Sequence, residues 1–285
     1  MLSQIHNTYD ILTNAEKKIA KVILAAPEEA ATLSVKQLAQ RAETAPSAVI
    51  RFCKSVGVDG FSQLKLLLAA ESARLTPEDE ILHVSKGDSA SAVFGRVFHS
   101  GIYALKDTLS MMNFEDIETI SQLFSNSERV VFFGVGTSSV IAIDAHYRFA
   151  QLGIPSASCT DILFMNVTAV NLKQGDVAVG ISHSGSTKAT VDALRRAKKA
   201  GAATVAITSF AHSLLAKECD YSVIAFSDEQ NYPVEAVSAR VANICIVDAF
   251  MMILATLHHE TLPKHLLARN QILKDIRYEK GENAR

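Results

Sequence analysis

Apolar residues recur at helical spacing through the first ~75 residues. After about residue 114, short apolar runs alternate with helical stretches. Ile19, Val22 and Ile23 predict a helix, opened by a capping box in which Glu16 follows Thr13 by three residues. Pro27 starts a short second helix. Ser34 caps a third, whose Val35, Leu38 and Ala39 share a face. Pro46 stands where a first helical residue belongs, and the fourth helix runs to about Val56. Gly57 ends it, and Gly60 marks the turn before Phe61–Ala70. Pro77, Glu78, Asp79 and Glu80 form an acidic junction. Beyond it, positions such as Val93, Val97, Ile102 and Leu105 keep a helical pattern.

From about Phe114 the predicted strands are Arg129–Phe133, Ile154–Cys159, Asp176–Ile181, Ala203–Thr208 and Tyr221–Phe226. Helical stretches Ser138–Leu152, Asp161–Asn171, Lys188–Ala200 and Val234–Leu257 separate or follow them, with a last helix at Leu262–Ile276. Strands alternating with helices imply a five-stranded parallel sheet flanked by helices on both faces. The expected organisation is an all-α helix-turn-helix domain over residues 1–77 and a helical linker over 78–113. An α/β domain over 114–258 and a C-terminal helix and tail over 259–285 complete it.

Composition changes this picture little. The 285 residues are 48% hydrophobic and 20% charged, a globular balance. The net charge of −2 hides an asymmetry: residues 1–77 carry +2 and the remainder −4. The N-terminus lacks the basic and apolar regions of a signal peptide. The most apolar stretch, Val241–Leu257, is interrupted by Asn243 and Asp248, so it reads as a core helix and not a membrane span. Cys53, Cys159, Cys219 and Cys245 form no CxxC and read as small buried hydrophobes in a reducing cytoplasm. No metal and no cofactor is expected.

Two places carry candidate chemistry. The helices on either side of Glu43–Ala45 are joined by a turn of helix-turn-helix length. In the second, Val49, Cys53 and Val56 are expected to pack inward with Ile50 and Phe52 flanking them, which leaves Ser47, Arg51, Lys54 and Ser55 outward. Two cations and two hydroxyls with no acid suit a recognition helix, because Arg forks onto guanine while Ser and Lys hold bases or phosphates. Thr44 in the turn is a further candidate contact.

The second place is a pair of loops, each following a predicted strand and opening a helix. One runs Gly134-Val135-Gly136-Thr137-Ser138-Ser139, and the other Ser182-His183-Ser184-Gly185-Ser186-Thr187. Glycine lets backbone approach a ligand, and N–H groups at a helix start attract anions. The loops would converge at the carboxyl edge of the sheet on a phosphate and its sugar hydroxyls. The first falls short of GxGxxG because Ser139 replaces the third glycine. No GxxxxGK[ST] occurs, and Ser184 spoils a GxSxG elbow.

Val35–Ala42 followed by Ser47–Lys65 resembles the N-terminal domain of RpiR-type bacterial regulators, with Arg51, Phe52, Gly57, Gly60, Phe61 and Lys65 in matching positions. The departure is the turn, where Thr44-Ala45-Pro46 replaces the usual Gly-Val-Ser. Ile181–Thr187 is similar to the SIS, or sugar isomerase, motif, and residues 134–139 to its earlier glycine element. Lys188 stands where that family often has Glu. The resemblance assigns phosphate to Ser182, Ser184 and Thr187, with Gly136, His183 and Ser186 lining the same loops. It assigns sugar hydroxyls to Thr137, Ser138 and Glu235.

The resemblance implies a cytoplasmic regulator of a sugar or amino-sugar operon. Its partners would be operator DNA, a phosphorylated sugar effector and further copies of itself in a homodimer or homotetramer, with no membrane. The alternative is a sugar-phosphate isomerase or lyase using Glu235 as base. Against it, an enzyme has no need of residues 1–77, and no second acid/base group stands out.

Overall fold

A computed structural model describes residues 1, 2, 5, 8, 9, 12–72, 87–227 and 237–276. It divides into two compact units. One holds Met1–Tyr103 with Phe210–His212, and the other most of the chain from Ala104 onward.

In the first unit, helices α1 (Asn14–Ala25), α2 (Pro27–Thr32), α3 (Val35–Arg41), α4 (Pro46–Ser55) and α5 (Phe61–Ser72) follow one another closely. The starts lie where the capping letters place them. The Glu16 carboxylate accepts the Thr13 N–H at 2.9 Å and its hydroxyl at 2.6 Å. Ser34 accepts the Gln37 N–H, and the Gln37 side chain accepts the Ser34 N–H. Ala45 is extended, as a residue before proline must be, so Pro46 opens α4 directly. Ile19, Ile23, Leu38, Val49, Phe52, Cys53, Leu64 and Leu68 interlock in one core. The turn between α3 and α4 places Glu43 at φ 50°; among the described residues it is the one non-glycine at positive φ. Helix α6 (Ala90–Ser110) follows.

The second unit is the expected α/β layer structure. After α7 (Phe114–Asn126) come β1 (Arg129–Phe133), α8 (Thr137–Gln151), β2 (Ser156–Cys159), α9 (Ile162–Val170) and β3 (Asp176–Ile181). Then follow α10 (Lys188–Lys199), β4 (Ala203–Thr208), α11 (Leu214–Glu218), β5 (Tyr221–Ile224), α12 (Val237–Leu257) and α13 (Leu262–Asp275). The five strands are all parallel, in the order β2-β1-β3-β4-β5. One face carries Val130, Phe132, Val179 and Ile207 against α7, α8 and α12. The other carries Val131, Phe133 and Ala206 against α9, α10 and α11. Every residue of β3 is buried, as a central parallel strand covered on both faces requires.

Beyond shifts of a residue or two at helix ends, three differences from expectation stand out. Strand β2 begins at Ser156 because the Ile154 N–H returns to the Phe149 carbonyl and belongs to the end of α8. Strand β5 stops at Ile224, since the Phe226 N–H is taken by the Thr108 hydroxyl at 2.9 Å. Helix α11, capped by Ser213, was not anticipated. Helix α12 is long and apolar enough to cross a membrane, yet it presses Ala242, Ile246, Val247, Phe250 and Leu254 into the sheet. The predicted start of this helix at Val234 lies outside the described residues.

Candidate functional sites

The strand order fixes where a ligand can sit. From β1 the chain crosses to β2 on one side, and from β3 to β4 on the other, so the connections diverge between β1 and β3. At such a switch point the two loops splay apart and leave a crevice at the carboxyl edge. Both serine loops leave the sheet there, on neighbouring strands that pair Phe133 with Gly180.

In the first loop, Gly136 is the residue before α8, at φ 59° and ψ −133°, a conformation that side-chain-bearing residues resist. Its carbonyl accepts both the N–H and the hydroxyl of Ser139. Gly136 and Thr137 are exposed, and Ser138 is half-buried. In the second loop, the Ser182 hydroxyl donates to the Thr187 hydroxyl at 3.1 Å, and the Ser186 hydroxyl to Ser184 at 3.0 Å. Ser182 is buried, whereas Ser184 and Ser186 face solvent. Gly185 has φ 58°, and a Cβ there would run into Ser213 and into the Thr208 hydroxyl. Neither Gly136 nor Thr187 caps its helix with a side chain, so α8 and α10 both present uncapped N-terminal turns to the crevice.

His183 is anchored away from the loop's mouth. Its Nδ1 lies 2.8 Å from the Ser209 hydroxyl, and its carbonyl accepts the Thr208 hydroxyl and the Ser209 N–H. Glu235 lies outside the described residues. Sequence reasoning missed Ser209, Thr208 and Ser213, which hold the second loop from the β4 side. Their signal was present: Thr208 ends a predicted strand, Ser209 follows it directly, and Ser213 stands three residues before Ala216 as a cap. A cavity of about 410 Å³, lined by α7 and by residues such as Gln174 and Asp176, lies at the opposite, amino edge of the sheet, away from both loops.

In the first unit, Ser47, Arg51 and Lys54 are exposed on α4, and Ala48, Val49, Phe52, Cys53 and Val56 are buried. One expectation needs correction, and one residue gains an unexpected partner. Ile50 does not flank the core; it is 42% exposed, because its position on the helix turns it to the same side as Arg51. Ser55 is exposed, but its hydroxyl donates to the Glu16 carboxylate at 2.8 Å and so ties α4 to α1. The Thr44 hydroxyl points back to the Ala39 carbonyl at 3.4 Å, the same acceptor its N–H uses. Burial pushes the Glu16 carboxyl up, but hydrogen bonds from Thr13 and Ser55 and the charge of Arg51 outweigh it and hold it below its ordinary value.

The cysteines divide. Burial pushes the Cys53 thiol up to about 11 and the Cys219 thiol up to about 12, and it raises Cys159 as well. Cys245 departs from expectation by being exposed. Among the described residues no group of three His, Cys, Asp or Glu side chains is arranged to hold a metal.

Comparison with known proteins places these features. The helix-turn-helix domain of the rpiR family matches residues 1–74, and the SIS domain matches residues 123–253. An uncharacterised HTH-type transcriptional regulator of Caldanaerobacter subterraneus is 32% identical over 273 residues, covering 96% of each chain. The HTH-type transcriptional regulator HexR of Escherichia coli is 29% identical, covering 98% of this chain and 96% of its own. The structure of Vibrio vulnificus NanR complexed with ManNAc-6P superposes with a TM-score of 0.63 at 21% identity, covering 98% of this chain and 99% of that one. The sugar isomerase domain of an RpiR transcription factor from Sphaerobacter thermophilus superposes with a TM-score of 0.58 at 24% identity, covering 62% of this chain and 97% of that one.

Proposed function

Because the chain belongs to the RpiR family of HTH-type transcriptional regulators, with an SIS domain after its helix-turn-helix, we propose that it reads operator DNA through α4 and releases or grips that DNA in response to a phosphorylated sugar. The observation that carries the sensing half is the pair of hydroxyl-rich loops on β1 and β3, at the switch point of the sheet. Ser182, Ser184 and Thr187 hold the phosphate, with Ser186 lining the same loop and the dipoles of α8 and α10 adding to the attraction. Gly136 gives the ligand close access to the backbone, Thr137 and Ser138 take sugar hydroxyls, and His183 fixes the second loop. Glu235 is a further sugar contact in this reading. ManNAc-6P, held by a protein of the same fold, supports this class of ligand.

On the DNA side, Ser47, Arg51 and Lys54 face the major groove. Thr44 and Ser55 lie at the two ends of the same surface. The protein acts as a homodimer or homotetramer, so that two recognition helices meet half-sites ~34 Å apart per helical turn. The ligand is bound without turnover, in keeping with relatives named as transcriptional regulators. The regulated genes belong to sugar or amino-sugar use.

The test is thermal unfolding of the full chain against a panel of sugars, each with and without its phosphate, followed by operator binding with each ligand that stabilises. At a hundred times its dissociation constant a ligand adds ~2.7 kcal/mol. Stabilisation by phosphorylated members alone, with a matching change in DNA affinity, is the expected result. Coupling is reciprocal, so DNA must alter sugar affinity by the same factor. Ligands that bind and leave operator affinity unchanged defeat the sensing claim.

A further inference from the structure

We infer that Ile50 is a base-reading residue, and that it recognises the 5-methyl group of thymine in the major groove. The inference rests on the reading of α4 as a recognition helix and adds to it a contact of a different chemical kind.

The geometry of α4 carries it. At ~100° per residue, the buried residues Ala48, Val49, Phe52, Cys53 and Val56 span an arc of about 140°. The direction opposite the middle of that arc falls within about 10° of both Ser47 and Lys54. Ile50 and Arg51 stand about 50° to either side of it, and Ser55 about 90° away. Ile50 is therefore as outward as Arg51, while Ser55 lies at the flank, where it meets Glu16. The exposed face of α4 is a small patch of four side chains: a hydroxyl, two cations and one branched hydrocarbon.

The hydrocarbon has no use in solvating that face. The neighbouring outward positions are all polar, and 42% of the Ile50 surface stays in water in the free protein. It belongs to the half of α4 nearer the N-terminus, the part of a recognition helix that reaches base edges. In the major groove, thymine alone among the four bases presents an apolar group, and aliphatic side chains meet it by contact. Arg51 and Lys54 supply hydrogen bonds to guanine or phosphate, which Ile50 cannot. Its contribution to sequence preference is thymine against cytosine, where the methyl is missing and an amine stands in place of the carbonyl oxygen.

The test uses the full chain and two substitutions that meet at one methyl. Selection from a random duplex pool first gives a bound sequence. Each thymine in it is then replaced, one at a time, by uracil, which removes the methyl and leaves every hydrogen-bonding edge intact. Affinity is measured with the unaltered protein and with Ile50→Ala. The expected result is one thymine per half-site whose replacement weakens binding about fourfold, equivalent to ~0.8 kcal/mol for one buried carbon at ~1.4 kcal/mol per tenfold. With Ile50→Ala the same replacement changes nothing. Ile50→Val, which keeps a branched carbon at the same height and disturbs folding least, retains part of the discrimination. Uracil tolerated at every position by the unaltered protein overturns the inference. So does a uracil penalty that is equal in all three proteins. Enrichment of no sequence at all defeats the DNA-reading of α4 itself, and Ile50 with it.

Discussion

The hydrogen bond from Ser55 to Glu16 makes Ser55 a structural residue of the first unit, and its size can be worked out. The Glu16 carboxylate is 5% exposed and takes three bonds: the Thr13 N–H, the Thr13 hydroxyl and the Ser55 hydroxyl. A hydrogen bond to a charged group contributes ~1.5–3 kcal/mol. Ser55 is itself exposed, so water replaces part of what its removal takes away, and Ser55→Ala should cost about 1 kcal/mol. In a unit of roughly 100 residues that lowers the midpoint by about 4–8 °C. Glu16→Gln removes the charge and turns an amide NH2 toward donors, disturbing the cap as well as the bond to Ser55. It should cost about 2 kcal/mol. Calorimetry of the full chain reads both, and the transition that Glu16→Gln moves is that of the first unit. Because the two residues share one bond, the double variant should cost about 1 kcal/mol less than the sum of the singles. The pH dependence has a definite sign. The folded carboxyl lies below its ordinary value of 4.5, so its contribution is complete above the unfolded value and disappears as pH falls through the lowered folded one. Additive stabilities in the double variant, or an unmoved midpoint in Ser55→Ala, refute the assignment.

Other outcomes follow from the same geometry. Gly185→Ala combines a left-handed residue, ~1–2 kcal/mol, with overpacking against Ser213 and Thr208, ~1–3 kcal/mol. It should lower the midpoint of the second unit and remove stabilisation by phosphorylated sugars; an unchanged midpoint in calorimetry would show that the loop yields. Arg51→Ala should weaken operator binding by ~1–3 kcal/mol and relax preference at one base pair. Lys54→Ala should weaken all sequences alike and reduce the logarithmic salt slope by about 1, both readable by titration across salt concentrations. Iodoacetamide at pH 8 should label the native protein at Cys245, since Cys53, Cys159 and Cys219 are buried with raised thiol values; peptide mass mapping counts the adducts.

What was legible in the sequence was local. Thr13 with Glu16, and Ser34 with Gln37, mark helix starts because a cap is a contact between residues three apart. Strands and the two loops were legible because β-branched runs ending in glycine or serine change period abruptly. The order β2-β1-β3-β4-β5 was not, since nothing in a strand's own letters says which neighbour it will take. Ile50 was placed inward because it is apolar, but its helical angle was the better guide. Ser55 was placed outward correctly, yet its partner lies 39 residues away, beyond any local pattern. The five-residue α11 is too short for its period to register.

The two walls of the crevice at the switch point differ in how they are fastened. Residues 182–187 are fastened laterally: His183 to Thr208 and Ser209, Ser182 by its N–H to Ile207, and Gly185 by its carbonyl to the Leu215 N–H. Residues 134–139 are held by their own turn, through Ser139 on Gly136, and by a long 3.4 Å bond from Gly134 to Cys159. One wall behaves as an anvil and the other as a hammer. In the proposed reading, a ligand meets the anvil already fastened and spends its ordering cost on the hammer, which opens directly into α8. In the proposed reading, the signal of a bound sugar therefore starts as an ordering of the first turn of α8.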